Sequence, residues 1–146
     1  MQIKFNFKNI HHCEAVVLTC IDFRFWRETA EFVEKELGIK SFDFPSLPGA
    51  AKALNESASQ NDLAWQCLDV PVKLHAAKKI VIVNHADCGA YGGSKKFANS
   101  KEEQKFHEGE LKKAKTRIIA NFPNQEIILV YAKLAGDGGE VEFMLC

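Results

Sequence analysis

The sequence predicts an α/β fold: a mainly parallel β-sheet flanked by helices, closed by an antiparallel edge strand at the C-terminal end. Two observations predict the parallel part. Short β-branched apolar runs alternate with longer stretches whose apolar residues recur every three or four positions. A strand, a helix and another strand imply a crossover connection, which sets neighbouring strands parallel. The third observation predicts the exception. Gly136-Asp137-Gly138-Gly139 leaves only a tight turn between two strand-like runs, so that pair is antiparallel.

Taken in order, Ala15-Val16-Val17-Leu18-Thr19-Cys20 is a continuous apolar run of the kind buried on both faces of a sheet. Trp26, Ala30, Val33 and Leu37 then recur at helical steps, and Gly38 stands where a helix stops. Ile39 to Phe44 reads as a second strand, ended by Pro45. Leu63, Cys67, Val70, Leu74 and Ala77 form an apolar helical stripe, with Asn61 placed to cap it and Pro71 expected to kink or split it. Lys79 to Asn84 is the clearest buried strand. His107, Leu111, Ala114, Ile118 and Phe122 make a third helical face. Ile127–Leu134 and Val141–Leu145 supply the closing strands.

Residues 1–146 are expected to form one domain, with no repeat, low-complexity tract or linker. Lys plus Arg and Asp plus Glu number 19 each, so no global field draws the chain to nucleic acid or to an anionic membrane. The N-terminal residues alternate polar and apolar without a signal-peptide core, and no apolar run reaches the roughly 18 residues that span a bilayer. A cytoplasmic location is expected. Five cysteines, an odd number, point to metal ligation or burial rather than a disulfide framework.

Ligands of open α/β sheets bind beyond the carboxyl ends of the strands, and two predicted strands end in metal-binding residue types. The first runs into Cys20, the third into His85 and Cys88. Two thiolates and an imidazole with a vacant fourth position form a catalytic zinc arrangement, provided that the two strands lie side by side. Cys20, Asp22 and Arg24 at alternate positions face one way in an extended segment. Asp22 can take the vacant position itself or accept a proton there, and a bidentate pair with Arg24 keeps it ionised and off the metal.

Cys20-Ile21-Asp22-Phe23-Arg24 and His85-Ala86-Asp87-Cys88-Gly89 resemble the Cys-x-Asp-x-Arg and His-x-x-Cys-Gly motifs of the β-class carbonic anhydrases. The similarity runs from about Cys13 to the C-terminus and describes a short, divergent member. The resemblance implies zinc held by Cys20, His85 and Cys88, with Asp22 and Arg24 as the catalytic dyad. It also implies a homodimer and reversible hydration of carbon dioxide to bicarbonate by zinc-bound hydroxide. Two thiolates offset the charge of the ion, so activity is expected to favour alkaline pH. The alternatives are hydrolysis of carbon disulfide or carbonyl sulfide, and a non-catalytic zinc-stabilised module that binds a small anion. The chain departs from the family pattern at Phe23, where Ser is common, at Asn84, where Gly often precedes the His, and at Ser46-Leu47-Pro48-Gly49, which stands in place of Arg-Asn-Ala-Gly.

Phe23, Phe25, Trp26 and Leu47 are expected to wall the pocket, and Asp87 to lie either behind the ligands or on the loop surface. Gly89-Ala90-Tyr91-Gly92-Gly93 lacks the Lys-Ser/Thr ending of a phosphate loop and is expected to bring backbone close to the metal pocket. Cys13, Cys67 and Cys146 read as structural. His11-His12-Cys13 reads as the entry to the first strand, although the residue types suit a metal. Lys95 to Lys115 reads as a solvated helical face, with His75 and His107 packed or solvated on their helices.

Overall fold

A computed structural model describes residues 1–146. The run Ala15–Thr19 forms β1, buried at every position. Trp26–Lys35 forms α1 and Gly38, at φ +68°, turns the chain after it. Then follow β2 (Phe42–Asp43), α2 (Ala51–Asn55), α3 (Leu63–Leu74), β3 (Lys79–His85), α4 (Ser100–Asn121), β4 (Glu126–Ala135) and β5 (Glu140–Leu145). The sheet order is β2-β1-β3-β4-β5, parallel except for the β4–β5 pair. The predicted fold class and antiparallel edge are both present. No helix is long and apolar enough to cross a membrane.

Side chains alternate across a strand, so each central strand feeds two cores. Val16, Leu18, Ile80, Ile82, Leu129 and Tyr131 pack with Leu54, Trp65, Leu68, Leu111 and Ile118 from α2, α3 and α4. Val17, Val81, Val83, Val130 and Ala132 pack on the other face with Phe25, Val33 and Ile39. The third helical face is present as predicted: His107, Leu111, Ala114, Ile118 and Phe122 are all buried.

Four expectations fail for identifiable reasons. The strand over Ile39–Phe44 shrinks to two residues. The Glu14 carboxylate takes the Lys40 and Ser41 amides at 2.8 and 3.0 Å, and Pro45 brings no amide at the other end. In α3 the buried side is Ala64, Trp65, Leu68 and Pro71, whereas Leu63, Val70 and Leu74 are exposed. The helix has two apolar sides, and the one bearing the indole has more area to remove from water. Pro71 lies in the last turn without splitting the helix, and its carbonyl accepts the His75 and Ala77 amides at 3.1 Å. The cap of α3 is Asp62 rather than Asn61. The short α2 was not anticipated. It starts after Gly49, and its Ala51 amide donates to Asn84 Oδ1 at 3.1 Å.

Candidate metal centre

Parallel pairing of β1 with β3 sets Thr19 opposite Val83, so Cys20, one residue beyond β1, emerges beside the end of β3, where His85 is the last residue. The loop after β3 turns through Asp87, at φ +55°, and returns Cys88 to the same edge. Ligand atoms of Cys20, His85 and Cys88 lie within 4.8 Å of one another, and the two sulfurs are 3.8 Å apart. All three residues are buried. Burying this many polar side chains together has a cost unless they find partners.

The imidazole supplies the clearest sign that an ion belongs here. His85 Nδ1 lies 2.7 Å from the Ala86 carbonyl, which fixes it as the donor. Nε2 is then an acceptor, and it is buried without a hydrogen-bond partner. Phe25 packs on the ring at 4.2 Å between centroids and holds its orientation. The sulfurs titrate as a pair. The first proton leaves easily: the resulting thiolate on Cys20 accepts from the Cys88 thiol first, and also from the Gly49 amide, and is held well below the ordinary thiol range. That thiolate, together with burial, holds the second proton on Cys88. Two soft sulfurs and one aimed imidazole nitrogen fit a tetrahedral zinc ion with one position left open.

Asp22 stands beside this trio. Its Oδ2 is 4.0 Å from His85 Nε2. Arg24 clamps the carboxylate: Nε reaches Oδ1 and Oδ2 at 3.0 and 3.1 Å, Nη2 reaches Oδ2 at 2.6 Å, and the Arg24 amide reaches Oδ1 at 3.0 Å. The guanidinium holds the Asp22 carboxyl below the usual carboxylate range. The far side of Arg24 is itself held, because Nη1 reaches Asp87 Oδ2 at 3.1 Å and Nη2 reaches the Asp87 carbonyl at 3.2 Å. Asp87 is therefore a support behind the dyad. Its own amide donates to Glu103 Oε1 at 2.7 Å, and its Oδ1 accepts from the Ser94 amide at 3.0 Å.

The five predicted site residues thus come together. The predicted wall is mostly wrong: a cleft of about 480 Å³ is lined by Ile21, Phe23, Pro48, Gly89 and Ala90 beside Cys20, Asp22 and Arg24. Phe25 is buried under His85, Leu47 packs into the core, and exposed Trp26 stacks with Arg27. Gly92 and Gly93 serve turns at φ +97° and +75°, while a side chain at Gly89 would meet nothing within 4 Å. Close approach belongs to Gly49 instead. Its φ is +76°, its amide is 3.3 Å from Cys20 Sγ, and an added Cβ would lie 2.8 Å from that of Lys52. Gly49→Ala is expected to cost on the order of 1–3 kcal/mol through backbone strain and to weaken metal affinity. Thermal unfolding with and without added zinc measures both.

Two buried polar residues have roles that the sequence does not announce. Glu103 sits in the charged stretch taken for a solvated face, yet it is buried and accepts from Ser94 Oγ at 2.9 and 3.0 Å. Asn84 bridges Ala51, Tyr91 and His107, at 3.2 Å from His107 Nδ1. Asn84 lies in a run legible as a buried strand, but nothing in one sequence separates Glu103 from its solvated neighbours. His107 is fully buried, and that burial pulls its pKa down to about 4. The folded value lies below the unfolded one, so the unfolded chain takes up the proton first as pH falls. Stability is full above about pH 6.5 and declines towards pH 4, by on the order of 2–3 kcal/mol. Urea unfolding at pH 7 and pH 4.5 is expected to show this loss in the wild type and a flatter profile in His107→Phe.

A family model described as "Putative carbonic anhydrase" matches residues 10–142. An uncharacterized protein of Rickettsia conorii is 32% identical over 141 residues, spanning 92% of this chain and 74% of its own. A second, from Rickettsia bellii, is 31% identical over 145 residues, spanning 95% and 86%. Among solved structures, the β-carbonic anhydrase CafA of Aspergillus fumigatus aligns with a TM-score of 0.47 at 15% identity, over 92% of this chain and 76% of that one. With the family model spanning all but the two ends of the sequence, and both site motifs inside the matched span, this chain belongs to the carbonic anhydrase family that the model describes.

Proposed function

We propose that the protein is a zinc enzyme that reversibly hydrates carbon dioxide to bicarbonate, with Cys20, His85 and Cys88 as metal ligands and Asp22 and Arg24 as the catalytic dyad. One observation carries the reading: a carboxylate clamped by a guanidinium stands 4.0 Å from the unpartnered nitrogen of a Cys-His-Cys trio. Zinc, when bound there, supplies Lewis-acid activation of water. The chain's own residues do the rest. Three of the hydrogen bonds to Asp22 come from the Arg24 side chain, which keeps the carboxylate ionised and draws it away from the ligand trio. Asp22 Oδ2, the oxygen near His85 Nε2, is the acceptor for a proton released at the site.

Ile21, Phe23, Pro48 and Ala90 give the cleft an apolar lining suited to a small uncharged electrophile, and they limit the water that competes for the site. Phe23 is largely exposed at its rim. Bicarbonate, once formed, meets the Arg24 cation at the mouth. Stopped-flow hydration by zinc-loaded protein between about pH 7 and pH 9 tests the reading, with activity expected to rise towards the alkaline end. A rate equal to that of buffer at every pH, with zinc bound, would leave a zinc-stabilised module instead.

A homodimer is the expected assembly. Ile3, Phe5, Phe7 and Ile10 are exposed along the N-terminal segment, and Leu63, Val70 and Leu74 add an apolar stripe on α3. Phe42 and Phe44 add little to this surface, since both pack partly into the core. Light scattering at micromolar concentration should give twice the 16.4 kDa chain mass, and a monomer would count against the assembly.

A further inference from the structure

We propose a second metal site at the amino end of the sheet, formed by Cys13, Asp43 and His75 and selective for a late first-row divalent cation such as zinc. The three residues come from separate parts of the chain: Cys13 lies two residues before β1, Asp43 ends β2, and His75 caps α3. Their ligand atoms all lie within 4.8 Å of one another. Asp43 Oδ2 is 2.5 Å from His75 Nδ1 and 3.7 Å from Cys13 Sγ. The Cys13 amide donates to the His75 carbonyl at 2.9 Å, so two of the three ligand-bearing residues are tied together by backbone before any ion arrives.

The donor set decides the class of ion. Thiolate with imidazole selects zinc and its neighbours over calcium or magnesium, which prefer oxygen ligands alone. His11 and His12 line the same cleft of about 410 Å³, which offers a fourth ligand from the segment that leads into β1. An oxygen and a nitrogen in one tetrahedral zinc shell sit roughly 3.3 Å apart, so Asp43 and His75 must separate by less than about 1 Å. Their side chains are 34% and 39% exposed and make no other hydrogen bonds to side chains apart from Cys13, so a small rotation provides the room. An ion bound there would fasten the entry segment to β2 and α3. It would act independently of the Cys20 centre, which lies beyond the opposite ends of the strands.

Zinc titration of metal-free protein tests the site, with metal content read by elemental analysis and each cysteine's alkylation by iodoacetamide read by peptide mass mapping. Wild type is expected to hold one zinc more per chain than His75→Ala or Asp43→Asn, with all three folded by circular dichroism. Zinc is expected to slow alkylation of Cys13 by at least about tenfold in wild type and to leave it unchanged in His75→Ala. Cys20→Ala should keep this protection of Cys13, which separates the second site from the catalytic reading. Equal zinc content in wild type and His75→Ala, or a Cys13 alkylation rate indifferent to zinc, would overturn the proposal and leave a hydrogen-bonded Cys-Asp-His group.

Discussion

Arg24→Ala is expected to lower carbon dioxide hydration by about 10²-fold or more, the scale of a lost proton-handling group, while zinc content stays at the wild-type level. The clamp explains why. With the guanidinium gone, Asp22 loses three side-chain hydrogen bonds and keeps only that from the residue-24 amide. Its Oδ2 already lies 4.0 Å from His85 Nε2, and a free carboxylate that close to a bound dication moves onto it and closes the open position. Asp22→Asn should lose activity to a similar degree by a different route, since an amide neither accepts the proton nor pairs with Arg24 as a carboxylate does. Asp87→Asn should fall between, because it weakens one side of the clamp and leaves the other intact. A stability effect is separable. The Arg24 side chain is 41% exposed, and an ion pair of that exposure contributes only about 0–1 kcal/mol to folding. Arg24→Ala should therefore unfold at nearly the wild-type urea midpoint while its rate collapses. Hydration at the wild-type rate in Arg24→Ala would remove the dyad from the mechanism.

The parts of the molecule that were legible in sequence are those where one local pattern decides the outcome. The buried runs of β1 and β3 have no polar side to present, so they occupy the sheet centre, and their adjacency follows from crossover connections. That adjacency brings Cys20 to His85, which makes the trio readable from two short motifs. The α3 helix was read on the wrong side because Leu63, Val70 and Leu74 are as periodic as Ala64, Trp65, Leu68 and Pro71; only the rest of the fold says which side faces inward. The second strand was overdrawn because propensity does not reveal that the Glu14 carboxylate satisfies the Lys40 and Ser41 amides. The support behind the site was illegible for a similar reason. Glu103 becomes a buried acceptor through Ser94 and the Asp87 amide, contacts across a loop that no periodicity announces.

Cys20→Ala and Cys88→Ala are expected to have the largest effect on metal. Losing a partner outside the ligand shell costs a metal site about 10–100-fold in affinity, so losing a thiolate ligand costs more, on the order of 10³-fold or greater. Both residues are buried, so no exposed group is placed to substitute for the missing sulfur. His85 and one cysteine would remain, with Asp22 still drawn aside by Arg24. Zinc content should drop by about one ion per chain in each variant, and the metal–sulfur distances near about 2.3 Å that X-ray absorption should find for this centre in wild type should weaken. Stability reports the same event independently. Zinc at 100 times its dissociation constant stabilises a folded chain by about 2.7 kcal/mol, so a chelator should lower the wild-type unfolding temperature. In the two variants the share of that shift owed to this centre should vanish, because the ligand set that couples its ion to folding is incomplete. Comparing the metal-free forms of wild type and variants separates the lost zinc response from the cost of deleting a buried sulfur. Full zinc retention in both variants would refute the assignment of these cysteines as ligands.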